Sequence, residues 1–317
     1  MKKILLFVLT GLPLLAAAQP KVRIDHSPTL GASYTLINKN RPGTVTVLVK
    51  IRNLQNADAP QEKRYLSTQS GDLYRFEVTN NLTRFLTLSP IDKSKPVSFG
   101  SGAYCVYPGK VSAEADTAFV YRMPCTTARP VKVHRSSSGK GVPRNLNTSY
   151  SFRSEAGDTV YAMRRGLVTH LTKPRERDID LSTLSATSER TRLTVEHADG
   201  TMAAYSGFAE WTALFVGEGD EVLPGQPLGL VGGLVPDDGA RYHGLHVLFY
   251  RCIFDDDRAS VDRFPGAVFV GVVPRFAATE GVVTIPERGE YTAVMNDRLL
   301  TAELSKREIK KLRGNKK

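Results

Sequence analysis

The strongest constraint on the fold is the way short β-type runs alternate with turn residues along most of the chain. Residues 44–51 read Thr-Val-Thr-Val-Leu-Val-Lys-Ile, and residues 73–78 read Leu-Tyr-Arg-Phe-Glu-Val. Runs of this length that are rich in β-branched and aromatic residues are typical of strands. The pairs Asn80-Asn81 and Pro108-Gly109 supply turns between such runs. The pattern predicts an all-β protein that begins with an N-terminal β-sandwich.

The N-terminus has the pattern of a signal peptide. Lys2 and Lys3 precede an apolar run from Ile4 to Ala18, which ends in small residues before Gln19. This is the layout of a Sec-type signal peptide. No second run of roughly 18 apolar residues follows it, so we expect no transmembrane segment once the signal is removed. The sequence therefore predicts a protein exported across the inner membrane, either periplasmic or associated with the cell envelope.

The chain is strongly basic. It has 43 Lys and Arg residues against 32 Asp and Glu, which gives a formal net charge of +11. Outside the cytoplasm such a charge meets anionic envelope polymers rather than nucleic acid, so we expect no nucleic-acid partner. The alternative is that the charge only keeps the protein soluble.

The expected domains follow from these patterns. Residues 1–18 are the signal peptide, 19–130 the β-sandwich, 131–275 a second β-domain, and 276–317 a β-extension with a basic C-terminal helix. The polar, Gly-containing segment 136–143 is expected to be a linker or loop near the boundary.

The C-terminal helix is indicated by its capping residues. Ser305 as N-cap and Glu308 three residues later form a capping box, Leu304 and Ile309 form a hydrophobic staple, and Gly314 ends the helix. Opposite the single acid Glu308, this tail carries the cations Lys306, Arg307, Lys310, Lys311, Arg313, Lys316 and Lys317. Contact with an anionic surface and a solvated, frayed terminus are both compatible with this composition.

The three cysteines leave one question open. In an oxidising compartment Cys105 and Cys125 could close a loop by a disulfide, but the sequence does not fix the geometry that such a bond requires. Cys252 lies in an apolar strand pattern and is expected to be a buried thiol.

Four stretches of the second β-domain carry motifs in a fixed order: residues 157–168 (GDTVYAMRRGLV), 193–200 (LTVEHADG, followed by Tyr205), 216–229 (VGEGDEVLPGQPLG) and 245–249 (LHVLF). Taken together, they resemble the lysostaphin-like (LytM-type) zinc metallopeptidases, which cut peptide cross-links in bacterial peptidoglycan. The resemblance implies an antiparallel β-fold of the duplicated hybrid motif type, with the active site in a groove on one face.

The resemblance also implies a zinc site that this chain has mostly lost. The family draws its ligands from an H-x-x-x-D motif and from the second His of H-x-H, leaving one position open for water. Asn147 and Ser151 stand at the first two ligand positions, and His246 matches the third. Gly244 replaces the catalytic His, and His197 matches an ancillary family histidine.

We therefore expect a non-catalytic member of the family that needs no cofactor, with His197 and His246 as relics of the site. The resemblance implies binding to peptidoglycan or regulation of a cell-wall amidase or other hydrolase. Tyr205, Phe208 and Trp211 are candidates for stacking on sugar rings in the groove, although core packing is the simpler explanation for them.

Three alternatives stay open. His197 and His246 are also explained as half-buried strand residues with local hydrogen bonds. An active zinc metalloendopeptidase with a rearranged site would instead use His134, His197, His243 and His246. The segment 216–229 also resembles a lipoyl- or biotinyl-like half-barrel, as in an export adaptor.

Overall fold

The computed structural model describes residues 20–27, 31–39, 42–68, 71–100, 102–136, 148–172, 191–209, 213–232, 234–237, 240–255 and 264–314. The predicted signal peptide (residues 1–18), Asn147 and Trp211 lie outside these residues. Among the described residues, no helix combines the length and the apolar character needed to cross a bilayer.

Two sheets from the first part of the chain enclose one apolar core. Their strands are β1 (Lys21–Ser27), β2 (Gly31–Ile37), β3 (Val45–Ile51), β4 (Arg64–Thr68), β5 (Gly71–Val78), β6 (Arg84–Leu88) and β7 (Tyr104–Pro108). One sheet has the order β1-β2-β6 and the other β4-β5-β3-β7. Tyr34 and Leu88 from the first sheet pack with Val47 and Phe76 from the second. Because alternate residues of each strand face inward, this is a β-sandwich.

A larger sheet is built from the second part of the chain. The remaining strands are β8 (Val120–Arg122), β9 (Val131–Ser136), β10 (Thr148–Arg153), β11 (Thr159–Tyr161), β12 (Gly166–Thr172), β13 (Arg192–Glu196), β14 (Met202–Ser206), β15 (Glu221–Val222), β16 (Pro227–Leu230), β17 (Leu234–Asp237), β18 (Ala240–Asp255), β19 (Gly266–Gly271), β20 (Arg275–Ala278), β21 (Gly281–Val283) and β22 (Arg288–Tyr291). The sheet has the order β15-β12-β13-β14-β18-β10-β9-β22, and β17 and β19 also pair with β18. The prediction of an all-β fold is confirmed.

The core of this second part lies on one face of the large sheet. Tyr150, Tyr205 and Phe249 project from neighbouring strands into a buried cluster that also contains Phe276. Tyr121 belongs to the same cluster, because β8 pairs in parallel with β20. Residues 121–125, which the sequence analysis assigned to the first domain, therefore pack in the second core. The domain boundaries stay a prediction.

The two parts of the chain meet over one end of β18. Tyr107 and Leu48 from the sandwich pack with Cys252 and Phe254 from the last residues of β18. The Tyr107 hydroxyl donates to the Pro265 carbonyl at 2.7 Å. The sandwich thus covers one end of the large sheet.

One buried carboxylate joins the two parts. The backbone N–H of Thr44 donates to Oε2 of Glu196 at 2.9 Å. The second oxygen, Oε1, has no hydrogen-bond partner among the described residues. Burial raises the pKa of the Glu196 carboxyl above its ordinary value, and the bond from Thr44 opposes that shift.

Two short helices end the described chain. In α1 (Asp297–Thr301), the N-cap Asn296 accepts a hydrogen bond from the Leu299 N–H at 3.0 Å. In α2 (Lys306–Gly314), the Ser305 and Glu308 side chains each accept from the other residue's N–H, at 3.3 Å and 2.8 Å. The predicted capping box is confirmed, whereas α1 is not among the elements predicted from the sequence.

Candidate functional site

A transverse row of polar residues crosses the face of the large sheet that points away from the second core. His246 on β18 lies directly opposite Ser151 on β10 and Ser206 on β14. The row continues through His134 opposite Ser151, and through Arg192 opposite Ser206. Residues paired directly across neighbouring strands lie on the same face, with strands about 4.8 Å apart.

Strand alternation explains why these residues share a face. Leu245, Val247 and Phe249 of β18 are buried in the second core, so the residues between them point the opposite way. His246 is half-buried, and Ser151 and Ser206 are buried. The two serines are therefore shielded from solvent, whereas His246 keeps partial access.

His246 is held neutral by its surroundings. Burial and, to a smaller extent, the nearby positive charge of Arg192 together lower the pKa of its imidazole to about 4. A neutral imidazole offers one N–H donor and one lone pair, which is the form that binds a metal.

The donors next to His246 do not fit a catalytic zinc ion. Zinc is held in proteins by imidazole, thiolate and carboxylate groups, and a catalytic site needs three of them. Both direct neighbours, Ser151 and Ser206, carry hydroxyls. Among the described residues, no three His, Cys, Asp or Glu side chains lie close enough together to hold a metal ion.

The next residues along the same face border an open cleft. Arg153 lies opposite Gly244, two pairs beyond Ser151 and His246. The cleft has a volume of about 590 Å³. Its lining residues are Arg129, Pro130, Val131, Lys132, Arg153, Ser154, Glu155, Ala156, Tyr242, His243 and Glu290. Gly244 itself contributes no side chain to the face.

The charges of the cleft are mixed. The Arg153 guanidinium stacks on the Tyr242 ring at 3.5 Å from its centroid. Arg129 is paired with Asp158 at 2.6 Å and with Glu155 at 3.3 Å. Lys132 lies directly opposite Glu290 in the strand register. Both cations and carboxylates therefore line the cleft.

His197 is not part of this row. It follows β13 and lies beside the Met202 end of β14, whereas His246 pairs with Ser206 at the other end. Its Nδ1 is 3.0 Å from Oγ1 of Thr201, and it is 1% exposed. Burial and the nearby Arg164 charge, partly opposed by Asp199, together lower the pKa of His197 to about 3.

The four histidines of the alternative zinc site do not form a common cluster. His134 lies two strands from His246 in the transverse row. His243 is exposed at the cleft, and strand alternation turns it away from the face that carries His246. His197 lies in the core at the far end of β14.

A buried ion network beside His197 has no signal in the sequence. Arg164 is 3% exposed in its side chain and donates to Oε1 of Glu303 at 2.7 Å and to Oδ2 of Asp199 at 2.8 Å. It also donates to the Tyr121 hydroxyl at 3.1 Å and stacks on Phe119 at 3.8 Å from the ring centroid. Glu303 lies 139 positions from Arg164 in the chain, so no local spacing relates them.

The structure corrects the sugar-stacking candidates. Tyr205 is 0% exposed and Phe208 3% exposed, and both pack in the second core. The Tyr205 hydroxyl accepts a hydrogen bond from the Met163 N–H at 3.1 Å. Neither ring can reach a ligand, because strand alternation turns Tyr205 away from the polar face. Trp211 lies outside the described residues.

All three cysteines are free thiols. Cys105 packs beside Cys252 in the cluster between the two parts of the chain, whereas Cys125 lies in the second core. Burial raises the pKa of Cys125 to about 12 and that of Cys252 to about 11. Both are poor nucleophiles, since reactivity requires the thiolate.

Similarity to known proteins is found among solved structures. No protein-family profile matches the chain, and no curated protein matches it. Among solved structures, the chain is similar to Helicobacter pylori Csd3 in its orthorhombic crystal. The sequence identity is 12% and the TM-score 0.29, and the match covers 93% of this chain and 80% of that chain.

Proposed function

We propose that this chain is an exported cell-envelope protein with a non-catalytic LytM-type domain, and that the polar face of its large sheet binds peptidoglycan. The four ordered sequence motifs and the signal-peptide pattern support the assignment to this class. The high positive charge supports contact with anionic envelope material.

The observation that carries the proposal is the position of Ser151 beside His246. The sequence comparison assigned these residues independently to two ligand positions of one zinc site, and the strand register pairs them directly. That pairing is expected if both residues correspond to ligand positions of the family, as their sequence motifs indicate. The site then keeps one imidazole where a hydrolase needs three ligands, and Gly244 stands where the catalytic His is expected.

The cleft beside this row suits a peptide-bearing ligand. Peptidoglycan stem peptides carry both carboxylates and amines. In the cleft, Lys132 and Arg153 could bind the carboxylates, and Glu155 and Glu290 could bind the amines. A charge-assisted hydrogen bond from Arg153 would contribute about tenfold in affinity.

Sedimentation with purified sacculi tests the binding. We expect the full chain to sediment with the sacculi, Arg153→Gln to bind about tenfold more weakly, and Arg84→Gln to bind like the parent. Arg84 is an exposed arginine of the sandwich, so the control removes the same charge elsewhere. A parent chain that stays wholly in the supernatant would contradict wall binding.

Digestion of labelled sacculi tests the absence of catalysis. With equimolar zinc added, we expect the chain alone to release no label. Release of label together with about one bound zinc would favour the alternative of an active metalloendopeptidase. Adding a purified cell-wall amidase tests the regulatory role. If the chain activates the amidase, label should be released from the sacculi faster in the presence of the parent chain than in the presence of Arg153→Gln.

A further inference from the structure

The outward face of α2 is formed entirely by cations. Exposed side chains along the helix are those of Lys306, Arg307, Lys310, Lys311 and Arg313. Glu308, Ile309 and Leu312 are partly buried and face the body of the protein. With a rise of 1.5 Å per residue, the cations occupy a strip about 10 Å long.

Two ion pairs fix this orientation. Arg165 donates to Glu308 at 2.8 Å, so the acidic residue of α2 is turned towards the protein and its charge is compensated there. Just before the helix, Glu303 is held by the buried Arg164 at 2.7 Å. The cationic strip is therefore presented by a helix anchored to the second core.

The arrangement is electrostatically unfavourable for the isolated protein. Lys306 and Lys310 are four residues apart, as are Arg307 and Lys311, and like charges at this spacing destabilise a helix. Arg313 has Asp297 at 3.6 Å, but both side chains are mostly exposed, so the pair is weak. An external anionic surface would relieve this repulsion.

We propose that the outward face of α2 docks the protein onto a membrane surface rich in anionic phospholipid. A convex helix face with five cations suits a broad surface of phosphate groups, where each Lys or Arg strengthens binding about fivefold. The exposed strip contains no aromatic or aliphatic side chain, so binding is electrostatic and proceeds without insertion. This inference does not depend on the ligand of the sheet face.

Vesicle sedimentation of the full chain tests the proposal. The vesicles contain phosphatidylcholine alone or with 30% phosphatidylglycerol, and neutral vesicles report any binding by the apolar residues 4–18. We expect tighter binding to anionic vesicles at 50 mM NaCl, and loss of that difference at 500 mM. The variant K306Q/K310Q/K311Q is expected to bind anionic vesicles about a hundredfold more weakly.

The matched control is K21Q/K63Q/K93Q, which removes three exposed lysines from the sandwich. It is expected to bind within about threefold of the parent, and circular dichroism checks that both variants fold. Equal binding to neutral and anionic vesicles would overturn the proposal. So would equal losses in the two variants, or binding to a soluble polyanion such as polyphosphate without binding to vesicles.

Discussion

Replacing Arg164 with methionine removes the guanidinium that neutralises two partly buried carboxylates. The Arg164 side chain is 3% exposed, and those of Asp199 and Glu303 are 11% and 16% exposed. Methionine keeps most of the apolar volume against Phe119, so the main change is electrostatic. Asp199 and Glu303 would then lie close together without a counter-charge.

Removing one partner of a buried ion pair costs about 3–5 kcal/mol, because the other charge stays buried and unpaired. Both carboxylates keep slight access to water, so we expect a loss of about 3 kcal/mol in the free energy of unfolding. Urea unfolding followed by circular dichroism measures it. Glu303→Gln, which leaves Arg164 paired with Asp199, should cost less.

Two further variants make the result interpretable. Arg23→Met breaks the exposed pair with Asp25, whose side chains are 53% and 51% exposed, and should change stability by less than about 0.5 kcal/mol. R164M/D199N/E303Q leaves none of these charges buried and should recover part of the loss. If Arg164→Met costs no more than Arg23→Met, the network does not hold the C-terminal segment as inferred.

Three other perturbations have defined outcomes. The pKa values of His197 (about 3) and His246 (about 4) lie below the ordinary 6.5. As the pH falls, the unfolded chain therefore binds protons at a higher pH than the folded protein does. The free energy of unfolding should therefore be highest above pH 6.5 and decrease at lower pH, by up to about 2 kcal/mol at pH 5 for His197. Urea titration at each pH measures this decrease. Glu196→Gln should raise the melting temperature more at pH 8 than at pH 5, because the raised pKa makes the carboxylate costly at high pH. Ser305→Ala removes a cap and should destabilise α2 by about 1 kcal/mol, seen as faster amide hydrogen exchange around Glu308.

Each of these predictions has a contradicting result. A melting temperature that is flat between pH 7 and pH 5, or an unchanged slope in a His197→Gln variant, would argue against a buried neutral imidazole. A Glu196→Gln variant that is destabilised most at pH 8 would mean that the carboxylate is stabilising there. Unchanged exchange in Ser305→Ala would show that the two ion pairs alone hold the helix.

The local features were predictable because they depend on neighbours in the sequence. The run 44–51 became β3 over Val45–Ile51, since β-branched residues favour strands wherever they pack. The alternation of side chains along a strand also predicted that His246 points to the opposite face from Leu245 and Val247. Helix α1 was missed because its five residues give too short a pattern for periodicity to register.

The aromatic candidates show where such reasoning fails. Tyr205 and Phe208 come soon after the motif at residues 193–200, and this position suggested that they line the expected groove. Strand direction sends Tyr205 into the core instead, where its hydroxyl meets the Met163 backbone. Which face of a strand is covered depends on distant segments, and no local pattern reports it.

The sequence alone determined the all-β character and the capped basic helix, and the resemblance in its motifs predicts that Asn147, Ser151 and Gly244 stand at ligand-type positions. Only the tertiary structure decided that Ser151, His246 and Ser206 stand side by side, and that Arg164 meets Asp199 and Glu303. The physical reason is that these contacts join strands and loops far apart in the chain. Their pairing is fixed by the register of the whole sheet and by burial of its core, which no single segment encodes.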